Sequence, residues 1–303
     1  MAFTDIEPML RSFSPAQVRQ HDLAARHHAL RDFNARRLKP GLPDPAWLRQ
    51  IEDDAEMLVT EGLWLEEERK RQSPRAAGAP ADPDGFVAWF EDLRETGPGQ
   101  NDALFRHLAQ KATQDQMRWF IAQEVSGEAG FEDLVALTQL RLPVRAKLEM
   151  ARNYWDEMGR GDERGMHGPM LEVLADGLGV APYADDSVWE PLALNNLVVG
   201  LAINRRFAYH AIGAMGAIEL TAPARAKQVS AGLRRLAVNG RTRHYFDLHA
   251  MLDIRHAEAW NREVIRELVA GNPAVARAIA EGALMRLDCG ERCFIRYRAQ
   301  FGI

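Results

Sequence analysis

His249, Asp253 and His256 stand at i, i+4 and i+7 in the stretch Tyr245-Phe-Asp-Leu-His-Ala-Met-Leu-Asp-Ile-Arg-His-Ala-Glu-Ala-Trp260. On a helix of 3.6 residues per turn these three project within roughly 60° of one another, stacked along two turns of one face. Phe246, Leu252 and Trp260 flank that face, which is therefore expected to point into an interior. Asp247 and Glu258 fall on the opposite side. Two imidazoles and a carboxylate turned inward destabilise a fold unless something satisfies them. A divalent metal does so, because neutral imidazole and carboxylate suit iron, zinc or manganese. The competing reading makes each histidine a hydrogen-bonded core residue and Asp253 their buried partner.

Three other segments carry residues that could complete a metal site. Glu124 follows Met117, Phe120 and Ile121 at +7, +4 and +3, which puts its carboxylate on their apolar stripe. Glu157 and His167 lie ten residues apart in Tyr154-Trp-Asp-Glu-Met-Gly-Arg-Gly-Asp-Glu-Arg-Gly-Met-His167. On one straight helix they would be about 15 Å apart along the axis and roughly 80° around it. Gly159, Gly161 and Gly165 allow the helix to break and His167 to fold back toward Glu157. Glu219 closes the apolar, small-residue run Ala211-Ile-Gly-Ala-Met-Gly-Ala-Ile-Glu219, where a buried carboxylate needs a partner. Gly213 and Gly216 in that run let a neighbouring helix come close. For each of the three carboxylates, a place at a helix end facing water remains an open alternative.

The elements that must position these residues are helices. Ser14-Pro15-Ala16-Gln17 forms a capping box with proline at the first helical position and predicts a helix over 14–37. Asp44-Pro45 opens a second over 44–72. Residues 73–84 contain three prolines without apolar periodicity and read as a linker. The two preceding helices then form an arm packed on the main body or on a second subunit. The chain divides accordingly into an arm with its linker, 1–84, and a main domain, 85–303. Beyond residue 85 the periodicity is helical throughout. Thr113-Gln-Asp-Gln116 caps one helix, and others are expected at 131–140, 142–158, 166–178, 187–218, 223–238 and 242–270. Asn239-Gly240 reads as a helix C-cap, and Asn272-Pro273 starts the last helix. The fold class is all-α, with no internal repeat.

Composition bounds the partners. The 303 residues are 47% hydrophobic and 27% charged, the balance of a globular protein with a sizeable core. A net charge of −5 argues against a dedicated nucleic-acid surface or an anionic-membrane surface. The densest basic run, Arg69-Lys70-Arg71, directly follows Glu66-Glu67-Glu68 and reads as a solvated mixed-charge helix face. Cys289 and Cys293, at i and i+4, have no second thiol or histidine pair nearby and read as reduced thiols of a cytoplasmic protein. The N-terminus has neither the basic flank nor the apolar core of a signal peptide, and the longest apolar run, 197–203, is too short to span a bilayer.

Glu124, the Glu157–His167 pair within Asn153-Tyr-Trp-Asp-Glu-Met-Gly159, Glu219, and the His249-x3-Asp253-x2-His256 helix together resemble the haem-oxygenase-like diiron oxidases, the iron-containing redox enzymes. The resemblance covers about 117–262. It implies a haem-oxygenase-type helical bundle that holds two irons without haem, with Glu124, Glu157, His167, Glu219, His249, Asp253 and His256 as the ligand set. It also implies O2 as co-substrate and a small amino-acid-, amine- or fatty-acid-derived substrate, either N-oxygenated or cleaved and decarboxylated. An external electron donor and a homodimer are compatible with it. A ferritin-like diiron protein would instead show Glu-x-x-His on two helices, and no such pair occurs. The alternative from another class is a metal-free bundle that binds a small molecule.

Overall fold

The computed structural model describes residues 23–128, 130–181 and 187–303. The Ser14 capping box lies outside the described residues. Among the described residues the arm consists of α1 (Leu23–Leu38) and α2 (Trp47–Ala76). The body follows with α3 (Pro83–Thr96), α4 (Ala103–Gln110), α5 (Gln114–Ser126), α6 (Phe131–Thr138), α7 (Val144–Glu157) and α8 (His167–Leu178). It continues with α9 (Trp189–Ile203), α10 (Ala208–Arg235), α11 (His244–Ala259), α12 (Arg266–Gly271) and α13 (Val275–Phe301). The fold is all-α: among the described residues the only extended pairing is one isolated bridge between Met158 and Met166. No helix there is long and apolar enough to cross a membrane.

The helix starts are chemically specified. Thr113 accepts from the Gln116 amide while the Gln116 side chain accepts from the Thr113 amide, so the predicted capping box is complete. Asp82 and Asp102 cap α3 and α4 in the same way, each accepting a first-turn amide. α10 is the central element, packed against α13, α11 and α4. Its approach to α13 requires glycine: a β-carbon on Gly213 would collide with the Ile279 carbonyl. Gly216 meets the Trp260 indole instead, and Trp260 Nε1 donates to the Ile212 carbonyl at 3.3 Å.

The arm lies on the body. Leu30, Trp64 and Leu65 share one apolar cluster with Leu197, Leu201, Phe207 and Met285. His27 stacks on Trp189, at 5.5 Å between ring centres, and meets Trp64 edge-on. Asn196 donates to the His27 carbonyl and accepts from Asn34, which ties α1 to α9.

Five features differ from expectation, each for a local reason. The second helix runs through Pro74 to Ala76, because Ala76 is buried and Arg277 donates to the Ser73 hydroxyl and carbonyl. The continuous helix expected over 187–218 breaks at Asn204, whose side chain accepts from the Arg206 amide and starts a new turn. The break expected near Pro223 is absent. α10 continues through that proline, buried on either side of it, although the Glu219 carbonyl loses its usual i+4 donor. This helix ends at Leu236 with Ala237 at φ +61°, so the cap sits before Asn239-Gly240, and Asn239 instead accepts from the Thr242 amide. Finally, the helix expected over 242–270 carries a π turn at Trp260–Ile265 that separates α11 from α12.

Candidate metal centre

α11 presents His249, Asp253 and His256 to the interior, all three buried. Asp247, on another face, bonds Ser230, Arg234 and Arg243, while Glu258 is exposed. Glu157 ends α7 and His167 begins α8. The glycines between them fold the chain back as their spacing allows. Gly159 has φ +59°, and a β-carbon there would lie 2.5 Å from the Gly165 carbonyl carbon. The Met158–Met166 bridge closes this turn, and His167 Nδ1 comes to 3.1 Å from Glu157 Oε2. Glu219 faces the same space from α10 and is buried.

The two oxygens of Glu157 look toward two different sets of groups. Oε2 faces His167 Nδ1 at 3.1 Å and His249 Nε2 at 3.9 Å. Oε1 faces His256 Nδ1 at 3.5 Å, and Glu219 Oε2 lies 3.5 Å from that same nitrogen. Within each set, Glu157–His167–His249 and Glu157–Glu219–His256, the donor atoms lie within 4.8 Å of one another. Asp253 is buried beside both sets, near enough to feel the charge of Glu157 and Glu219. Glu124 lies in the same cavity but in neither set.

Neighbouring groups fix the histidine rings. His249 Nδ1 donates to the Tyr245 carbonyl at 2.7 Å, which leaves Nε2 as a lone pair aimed at the cluster. His256 Nε2 faces Asp156 Oδ2 at 3.2 Å, which leaves Nδ1 inward. His167 Nε2 faces the Tyr245 hydroxyl at 3.1 Å and Glu128 Oε2 at 3.5 Å. Asn153 donates to Glu219 Oε1 at 2.6 Å. Asn153, Asp156 and Tyr245 lie inside stretches singled out in the sequence, yet no spacing rule distinguishes them as supports. Glu128 sits past the end of α5, and only the fold shows that it reaches His167.

Three buried atoms, His249 Nε2, His256 Nδ1 and Asp253 Oδ1, have no hydrogen-bond partner among the described residues. Each such orphan costs about 1–3 kcal/mol, so three around one space indicate a ligand rather than a packing accident. The titration behaviour agrees. Burial and the Glu219 and Glu157 charges push Asp253 well above the carboxylate range. Burial opposes ionisation of Glu157, but the hydrogen bond from His167 and the nearby His249 imidazole overcome it and hold the carboxyl below that range. Burial also opposes charging His256, yet Glu219 raises it to about 9. In His167 the same opposition is overcome by Glu128 and Glu157. The cluster thus carries more carboxylate than its surroundings balance, and protons make up the difference. A divalent cation fits that donor set and that deficit.

The cluster opens on a cavity of about 180 Å³. That is many times the roughly 10–15 Å³ a single water needs, so the space suits a small organic molecule. Phe105, Phe120, Phe131, Leu134, Phe246 and Phe294 are among the apolar residues that line it. Cys293 also lines it, and both cysteines are buried and free, their thiols pushed upward by burial, Cys289 to about 12.

Comparison with known proteins gives a family and a fold. The family described as iron-containing redox enzymes matches residues 118–291. Among solved structures, a domain of unknown function with a haem-oxygenase-like fold from Shewanella denitrificans aligns with a TM-score of 0.53 at 14% identity, over 71% of this chain and 90% of that one. A CADD-like protein of unknown function from Nostoc punctiforme also aligns with a TM-score of 0.53, at 19% identity, over 72% of this chain and 95% of that one. No curated protein matches the sequence.

Proposed function

Because this chain belongs to the iron-containing redox enzymes, on a haem-oxygenase-like fold, we propose that it is a non-haem diiron oxidase or oxygenase using O2. The observation that supports the paired site is the division of Glu157, one oxygen toward His167 and His249 and the other toward His256 and Glu219. A carboxylate shared in that way could serve two adjacent metal sites. His167 and His249 would hold one iron, His256 and Glu219 the other, with Asp253 supplying a further carboxylate. Glu124, on the cavity wall, is the remaining candidate ligand, and Glu128 supports His167 from outside.

Iron bound there would supply the redox chemistry, the reduction of O2 coupled to oxidation of a small molecule. The protein's own groups do the rest. Tyr245, Asp156 and Asn153 hold the ligand side chains in their inward orientation. The aromatic wall excludes bulk water and positions an amino-acid-, amine- or fatty-acid-derived substrate against the cluster. Its oxidation takes the form of N-oxygenation or oxidative C–C cleavage. Placing one oxygen atom in the substrate and reducing the other to water takes two more electrons than the substrate gives, so an external donor belongs to that outcome. Exposed Trp47, Leu48 and Ile51 on α2 favour a homodimer.

Anaerobic titration with Fe(II), followed by elemental analysis, tests the reading. A stoichiometry near two irons per chain is expected. A value near zero after full reconstitution would replace the enzyme with a metal-free binding protein.

A further inference from the structure

Two arginines stand in the cavity wall with almost nothing to pair with. Arg225 lies six residues beyond Glu219 on α10, roughly 9 Å along the helix axis from it. Its guanidinium sits 5.5 Å from the centre of the Phe294 ring and, among the described residues, donates only to Thr221 Oγ1, at 2.8 Å. Arg286 enters from α13, and among the described residues it makes no hydrogen bond or ion pair. Burial lowers the pKa of both, and each feels the other's charge or that of nearby acidic groups. Glu124 is the carboxyl group closest in influence to both, but it forms no ion pair with either, and burial raises its pKa.

Two part-buried guanidiniums on a cavity wall without a paired carboxylate are costly, and a ligand carboxylate would complete them. The surrounding wall is apolar: Phe105, Phe120, Ala226, Val229 and Phe294. We propose that Arg225 and Arg286 clamp the carboxylate of a small substrate, whose apolar body runs along this wall toward the Glu157–histidine cluster. The clamp rests on the diiron reading for its substrate role, and it sharpens that reading. A carboxylate held by the arginines is not the group presented to iron, so the oxidised atom lies at the other end of the molecule. Of the outcomes named above, this favours oxidation of a distal amine or carbon over loss of the clamped carboxylate.

Calorimetric titration with hexanoate and with its neutral isostere hexanamide tests the clamp, using chelator-treated and Fe(II)-loaded protein side by side. Hexanoate should bind the metal-free protein, and bind more tightly than hexanamide. Arg225→Met and Arg286→Met should each weaken hexanoate roughly tenfold or more, leaving hexanamide unchanged. Each variant should also melt at a higher temperature than the parent, since an unpaired buried charge is gone. If a methionine variant fails to fold, Arg225→Gln or Arg286→Gln provides the same comparison. Equal binding of the two probes, absence of binding, or hexanoate binding that survives loss of both arginines would overturn the clamp. Hexanoate binding that needs iron and ignores the arginines would overturn it while leaving the diiron site intact. Arginine-dependent binding to a protein that takes up no iron would uphold the clamp and remove the diiron reading.

Discussion

At the scale of single residues, the chemistry rests on side chains whose polar atoms point at one another across helices. His249, Asp253 and His256 were legible because a helical period alone puts them on one face. Their supports were not, because Asp156 and Glu128 reach the cluster only through the packing of α7 and the segment after α5 against it. Asp253 gives the sharpest test. Its Oδ1 is buried without a partner, and its pKa is raised by burial and by the Glu219 and Glu157 charges. Asp253→Ala removes that charge conflict, so the metal-free protein should keep its helicity and lose little stability. Iron affinity should fall by about tenfold or more, the range seen when a ligand or its support is removed. Glu258→Ala, at an exposed position on the same helix, should change neither. Asp247 is a poorer control than its spacing suggested, since it ties α11 to Ser230 and Arg234 of α10. Equal losses of iron from the Asp253 and Glu258 variants, read by metal analysis, would remove Asp253 from the site.

At the scale of elements, the turn between α7 and α8 and the docking of α1 decide most. The glycines announced a fold-back but not its tightness. Gly159→Ala forces a side chain onto a left-handed backbone, about 1–2 kcal/mol by itself, and against the Gly165 backbone as well. His167 should then leave Glu157, with a lower melting temperature and less iron per chain. Gly271→Ala, where nothing lies within 4 Å of the added carbon, should be neutral or stabilising. Matching behaviour of these two variants would mean that the turn does not position His167. α1 carries a different dependence. Burial, and after it the Arg26 and Arg292 charges, lower the His27 pKa to about 3. A histidine kept neutral in the folded state leaves the unfolded chain binding more protons below its ordinary value of 6.5. The contribution of His27 is therefore fully present above pH 6.5 and is lost as pH falls toward 3, by at most about 1.4 kcal/mol per unit. Urea unfolding at pH 7 and pH 5 should show this decline, and His27→Gln should flatten it. A decline of the same size in the variant would place the acid sensitivity elsewhere.

At the scale of the whole molecule, the all-α class followed from periodicity, while the joining of helices did not. Pro74 and Pro223 promised breaks that buried neighbours override, and Asn204 made a break that hydropathy does not show. The arm shares its core with α9 and α13, so residues 85–303 alone would bare Leu197, Leu201, Phe207 and Met285. Deleting the first 84 residues should give an aggregating protein, whereas Ile51→Glu in the full chain should leave a folded monomer. Solution mass measurement checks both, and an unchanged mass in the Ile51 variant would exclude α2 as the dimer surface. Beneath all of this lies the claim that one buried carboxylate, Glu157, joins two metals. Anomalous diffraction at the iron edge, on crystals grown anaerobically with Fe(II), tests it most directly. Two peaks about 3.5–4 Å apart, one beside each oxygen of Glu157, are the predicted result. A single peak, or density away from Glu157, would contradict it.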